Sequence, residues 1–116
     1  MRYLLLIYTS EATDPKPGSP EFNEMMPGYA IFTQDVQQRG LFQSGEALQP
    51  TVTATTVRVR NGERMVTDGP FAETKEQLGG YYLLNCKDLD EAIELAARIP
   101  GAQAGSIEIR PVMEFA

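Results

Sequence analysis

The chain has 116 residues, 42% hydrophobic and 22% charged, a size and balance that suit one globular domain able to bury about two-thirds of its unfolded surface. Ten Lys and Arg against sixteen Asp and Glu leave a net charge of −6, which repels phosphate backbones and anionic lipid and so argues against direct nucleic-acid or membrane binding. One cysteine and no histidine exclude an internal disulfide, a histidine-dependent triad and the usual zinc sites, and with no apolar run near spanning length the expected location is the reducing cytoplasm.

The apolar residues at 3–8 occupy successive positions, which suits a central strand covered on both faces. Asp14, Pro15, Pro17, Gly18 and Pro20 then crowd 11–20 with turn formers and predict an exposed loop. Phe22, Met25, Met26, Tyr29, Phe32 and Val36 recur at helical steps. A proline costs about 3 kcal/mol inside a helix but nothing at its first position, so the main helix is expected to start near Pro27, with 22–26 as a separate turn. Gly40 is placed to cap its end.

Residues 41–48 read as a second strand, with Gly45 permitting a bulge or a close backbone approach. Alternation at 55–60, the dipeptide Asn61-Gly62 and a return at 63–67 spell a hairpin closed by a type I′ turn. Residues 81–86 form the next strand, with Tyr81 and Leu83 on one face and Tyr82 and Leu84 on the other. Asp88 followed by Glu91 caps a second helix whose buried side carries Leu89, Ala92, Ile93, Ala96, Ala97 and Ile99, and Pro100-Gly101 stops it. The last strand, 106–112, turns Ile107 and Ile109 inward and leaves Pro111 near an edge or end.

This order predicts a single α+β domain, a ferredoxin-like split βαβ arrangement with an inserted β-hairpin. Two helices cover only one sheet face, while the strands at 3–8 and 81–86 are apolar on both. A second copy is therefore expected on the other face, in a symmetric homodimer.

Asp68-Gly69-Pro70-Phe71 is first of all a turn, since aspartate bonds backbone N–H groups just ahead and proline sets the bend. Glu73, Lys75 and Glu76 follow closely and open a functional reading. Asp68 and Glu73 become an acid–base pair if one is desolvated, and Lys75 steers an anionic group. Phe71, Glu76 and Tyr81 then border a ligand pocket, Phe71 and Tyr81 as its amphipathic wall. The structural reading is a solvated, charge-balanced loop, with Tyr81 as an ordinary packing aromatic.

Gly79-Gly80 precedes no helix and so is no phosphate cradle; it lets backbone approach closely. Arg58 and Arg60 share a hairpin face that suits an anion, although a cross-strand pair with Glu63 is the preferred reading. Cys86, beside Lys87, reads as a small buried hydrophobe rather than a nucleophile. No metal site and no cofactor follow from these residues.

Val66-Thr67-Asp68-Gly69-Pro70-Phe71-Ala72-Glu73-Thr74-Lys75-Glu76-Gln77-Leu78-Gly79-Gly80-Tyr81-Tyr82-Leu83-Leu84 closely resembles the signature of the DGPF-domain branch of YCII-related proteins. The resemblance runs nearly the whole length, through the opening strand at 3–8, Gly45-Glu46-Ala47-Leu48-Gln49-Pro50, the strand at 55–60 and the closing Gly105-Ser106-Ile107-Glu108-Ile109-Arg110-Pro111-Val112. It implies one YCII-related domain over 1–116 with a dimeric α/β-barrel fold and a largely unassigned role. Some YCII relatives carry a histidine and aspartate pair in a cleft and are proposed enzymes; this chain has no histidine to inherit that role. Related DGPF domains resemble partners of, or fusions to, extracytoplasmic-function sigma factors, which implies regulation. Two functions are therefore expected in competition: a cytoplasmic homodimer that binds, and in the stronger form transforms, a small polar metabolite, and a non-enzymatic module that docks a sigma-factor-type protein.

Overall fold

A computed structural model describes residues 1–115. Their elements run β1 (Arg2–Thr9), α1 (Pro20–Gln38), β2 (Phe42–Ala47), β3 (Thr55–Arg60), β4 (Glu63–Asp68), β5 (Gln77–Asn85), α2 (Leu89–Arg98) and β6 (Ser106–Pro111). Four strands make an antiparallel sheet in the order β2-β5-β1-β6, and β3 pairs with β4 in a sheet of two. With the hairpin set aside, this is the strand order of a ferredoxin-like, split βαβ sheet.

The sheet's two faces follow from the pleat. Tyr3, Leu5 and Ile7 of β1 alternate to one side, in register with Tyr82 and Leu84 of β5, and all five are buried. Phe32 and Val36 of α1, with Ala92, Leu95 and Ala96 of α2 and the following Ile99, close over them. The Phe32 and Tyr82 rings meet edge to face at 5.0 Å, and the Tyr82 hydroxyl shares a 2.7 Å hydrogen bond with Thr33 Oγ1, so this polar tip is satisfied within the core. The opposite face carries Leu4, Leu6 and Tyr8 with Tyr81 and Leu83, each half-buried and on the side away from both helices.

The first helix starts earlier than its proline suggests. Helix α1 is continuous from Pro20, which takes the cost-free first position, and Ser19 Oγ accepts the Phe22 N–H at 3.1 Å as its cap. Pro27 lies inside the helix, but both it and Asn23, whose carbonyl it leaves without a partner, are exposed, so water replaces the missing bond. Residues 22–26 are thus helix and not a separate turn. The far end closes as expected, with Gly40 N–H bonded to Gln37 O at 3.0 Å and Leu41 N–H to Val36 O at 2.9 Å.

Two smaller differences concern the later elements. In α2 the buried stripe is Ala92, Leu95 and Ala96, whereas Leu89 and Ile93 are about half exposed, because the helix is rotated toward the sheet on its Leu95 side. Its cap is as read, Asp88 Oδ1 accepting the Glu91 N–H at 2.9 Å while Glu91 Oε1 accepts the Lys87 N–H at 3.0 Å. Strand β5 begins at Gln77, so Gly79 and Gly80 lie within it, at the register shift opposite Ile7 and Tyr8.

The hairpin forms where Asn61 and Gly62 take positive φ of 53° and 76°, as a type I′ turn demands. Beyond their mutual ladder, β3 and β4 make only marginal contact with other elements. They stand out from the body, which accounts for flat extents of 47 × 47 × 19 Å. The radius of gyration, 16.1 Å, accordingly exceeds the roughly 13 Å of a rounded domain of this length.

Candidate functional site

The base of the hairpin and the loop after it build a groove. Leaving β4, Gly69 turns with φ 94° and donates its N–H to Ala54 O at 2.7 Å, while Thr56 Oγ1 donates to Gly69 O at 2.7 Å. Arg58 Nη2 donates to Phe71 O at 3.2 Å. These bonds lay 69–71 against the Thr56 and Arg58 face of β3. At the loop's far end Gln77 Nε2 donates to Thr74 O at 2.5 Å. Glu11 then ties both sides together: its N–H donates to Gln77 Oε1 at 2.8 Å, and its carboxylate accepts the Thr51 N–H and the Thr51 hydroxyl, each at 2.9 Å.

Between these walls lies an open groove of about 520 Å³, bordered among others by Thr51, Asp68, Pro70, Glu73, Thr74 and Gln77. Its size is that of a small-molecule site. Two carboxylates, threonine hydroxyls and a side-chain amide line it beside the apolar Val52, Pro70 and Ala72, and no Lys or Arg does, so acceptors and negative charge sit among apolar surface. Such a lining suits a ligand bearing hydroxyl or amine donors.

The expected site residues divide. Asp68 and Glu73 are brought together on the groove. Phe71 and Lys75 are exposed on the same loop outside the lining, Phe71 being 77% exposed. Glu76 is half-buried and engaged, its Oε1 accepting the Ser106 hydroxyl at 2.9 Å at the start of β6. Tyr81 is on the helix-free sheet face, in register with Leu6 of β1 and Glu46 of β2. Glu11, Thr51 and Gln77 escaped the reading of the sequence, because their bonds span 40 and 66 residues and no local pattern announces them.

The preferred cross-strand pair does not form. Arg60 and Glu63 face each other in register, yet among the described residues Glu63 makes no ion pair, and Arg60 Nη1 donates to Val59 O at 3.0 Å. Both are fully solvated at the hairpin tip, where such a pair gains under about 1 kcal/mol. Gly80 does admit close backbone: a Cβ there would lie 2.8 Å from Glu46 O. Cys86 is 1% exposed, and burial pushes its thiol up, the opposite of what an activated nucleophile needs.

The model of the YCII-related domain matches residues 1–116. The chain belongs to the YCII-related family. An uncharacterized protein of Rhizobium meliloti is 38% identical to this YCII-related protein over 114 residues, spanning 97% of this chain and 92% of the relative. Among solved structures, the 5-chloro-2-hydroxyhydroquinone dehydrochlorinase of Burkholderia phenoliruptrix, in complex with 2,5-dihydroxybenzoquinone, superposes with a TM-score of 0.50. At 14% identity, over 99% of this chain and 96% of that one, the likeness is one of α+β fold. Among the described residues no helix is long and apolar enough to cross a membrane.

Proposed function

We propose that this YCII-related protein, of the DGPF-domain branch, is a cytoplasmic homodimer that binds a small polar molecule through the Asp68 and Glu73 carboxylates. One observation carries the reading: both residues border the same groove of about 520 Å³, which no Lys or Arg of the same chain lines. A small ring bearing hydroxyl groups, of the kind that the dehydrochlorinase holds, fits this size and this donor–acceptor balance. Phe71 and Lys75, exposed on the same loop, serve at the mouth, where Lys75 steers an anionic substituent. The homodimer rests on the helix-free face of Leu4, Leu6, Tyr8, Tyr81 and Leu83, whose burial against a second copy of the sheet removes apolar surface from water. The cytoplasmic location rests on a lone, unpaired cysteine.

In the stronger form of this reading, Asp68 or Glu73 moves a proton of the ligand. Both carboxylates are exposed in the single chain, so this form requires the bound ligand or the second copy to strip water from one of them. A thermal-shift screen of hydroxylated aromatics, amines and sugars tests the binding. A ligand at a hundredfold its Kd adds about 2.7 kcal/mol to the native state, and Glu73→Ala should abolish that gain without altering the sedimentation mass. Silence across the library overturns the proposal. It would favour the second reading, a regulatory module whose acidic 68–76 loop docks the basic surface of a sigma-factor-type protein.

A further inference from the structure

The two faces of the hairpin differ in what covers them. Thr56 and Arg58 lie on the face against which the 69–71 loop is tied, and both are half-buried. Val57, Val59 and Val66 lie on the other face, 57%, 62% and 57% exposed, with nothing of their own chain over them. A two-stranded sheet that protrudes from its body is marginal in water unless an apolar face is packed. Here the apolar face is the bare one.

The same face carries its own complement. On β4, Arg64 and Asp68 flank Val66 symmetrically, and all three alternate to the side of Val57, which is in register with Val66. Neither Arg64 nor Asp68 makes an ion pair among the described residues, and both are exposed. A two-fold axis through the Val57 and Val66 positions, lying in the interface and across the strands, reverses one hairpin over another. It sets valine on valine and brings each Arg64 over the opposing Asp68.

We infer that this hairpin face is an isologous contact with a second copy of the chain, centred on Val57 and Val66 and closed at each end by Arg64 against Asp68 of the partner subunit. The occupant is a copy of this chain because the charge pattern is its own mirror: one positive and one negative residue, equally spaced from the centre, satisfy each other only when the strand meets itself reversed. The contact also reaches the groove, since Asp68 borders it. The partner's Arg64 thereby adds the cation that the lining of a single chain lacks. The inference stands on the hairpin and not on what the groove binds.

Cross-linking separates the two faces directly. Val66→Cys and Met65→Cys are adjacent on β4 but point to opposite sides, and the native Cys86 is too buried to compete. With a short bis-maleimide at micromolar protein, Val66→Cys should yield covalent dimer and Met65→Cys should not; equal yields from both, or none from Val66→Cys, overturn the contact. Charge exchange gives the second readout. In the Val66→Cys background, Arg64→Asp and Asp68→Arg should each lower the yield of covalent dimer about tenfold, and the double exchange should restore it. A double variant that cross-links no better than the single ones refutes it. Ligand-induced stabilisation of the wild type reads whether the groove binds, and cross-linking through residue 66 without ligand reads whether the hairpins meet, so binding and contact fail separately.

Discussion

Glu11 holds Thr51 by two bonds at once, its carboxylate accepting both the backbone N–H and the hydroxyl at 2.9 Å from a position forty residues earlier in the chain. The pair pins one wall of the groove to the loop after β1. Hydrogen bonds to a charged acceptor contribute about 1.5–3 kcal/mol each way they are lost, and Glu11 is only half-exposed. Glu11→Ala should therefore lower stability by about that amount in a urea titration, and any ligand found for the groove should bind more weakly to it although Glu11 itself is not in the lining.

Asp35 joins the two helices: its Oδ2 accepts from Arg98 of α2 at 2.8 Å and lies 3.5 Å from Arg39. The hydrogen bond from Arg98 is the main reason its carboxyl is held below the ordinary aspartate range. A depressed folded-state pKa means stability that is fully present above the unfolded-state pKa and is lost as pH falls through the lower folded-state one. Asp35→Asn should remove part of the acid limb of the stability curve below about pH 4 and leave the slope near neutrality unchanged. An acid limb identical to wild type would dismiss the linkage.

Gly80 and Gly79 make a matched pair of probes. A Cβ at Gly80 would meet Glu46 O of β2 at 2.8 Å, while at Gly79 the nearest atoms are 4.0 Å away. Backbone cannot yield as a flexible side chain does. Gly80→Ala should cost about 1–3 kcal/mol, against a small effect for Gly79→Ala, in thermal or urea melts.

Cys86 should behave as a clock for global unfolding. It is buried beneath the sheet, and burial is the largest cause of its raised thiol pKa, so little thiolate exists in the folded state at neutral pH. A thiol reagent should react at the rate at which the protein opens, independent of reagent concentration once that is high. Because the folded pKa is raised, the same group makes stability decline above about pH 8.5. Rapid, concentration-dependent labelling of the native protein would contradict both statements.

What could be read in the chain was local. Asn61-Gly62 specifies its turn through two backbone angles, Asp88 and Glu91 cap a helix within one turn, and the alternation of Tyr3, Leu5 and Ile7 marks a buried face wherever that strand goes. Asp68 and Glu73 could be paired as candidates because one loop carries both. Pro27 was misread because the cost of a helical proline depends on whether water can reach the freed carbonyl, which only the orientation of α1 on the sheet decides. Leu95, not Leu89 or Ile93, enters the core for a similar reason, since a helical stripe says which residues share a side but not how the helix rolls against its neighbour. The groove itself belongs to this second class. Its walls meet through Glu11, Thr51 and Gln77, residues whose partners lie far along the chain and whose bonds exist only after the sheet has brought the ends of β1, β2 and β5 together.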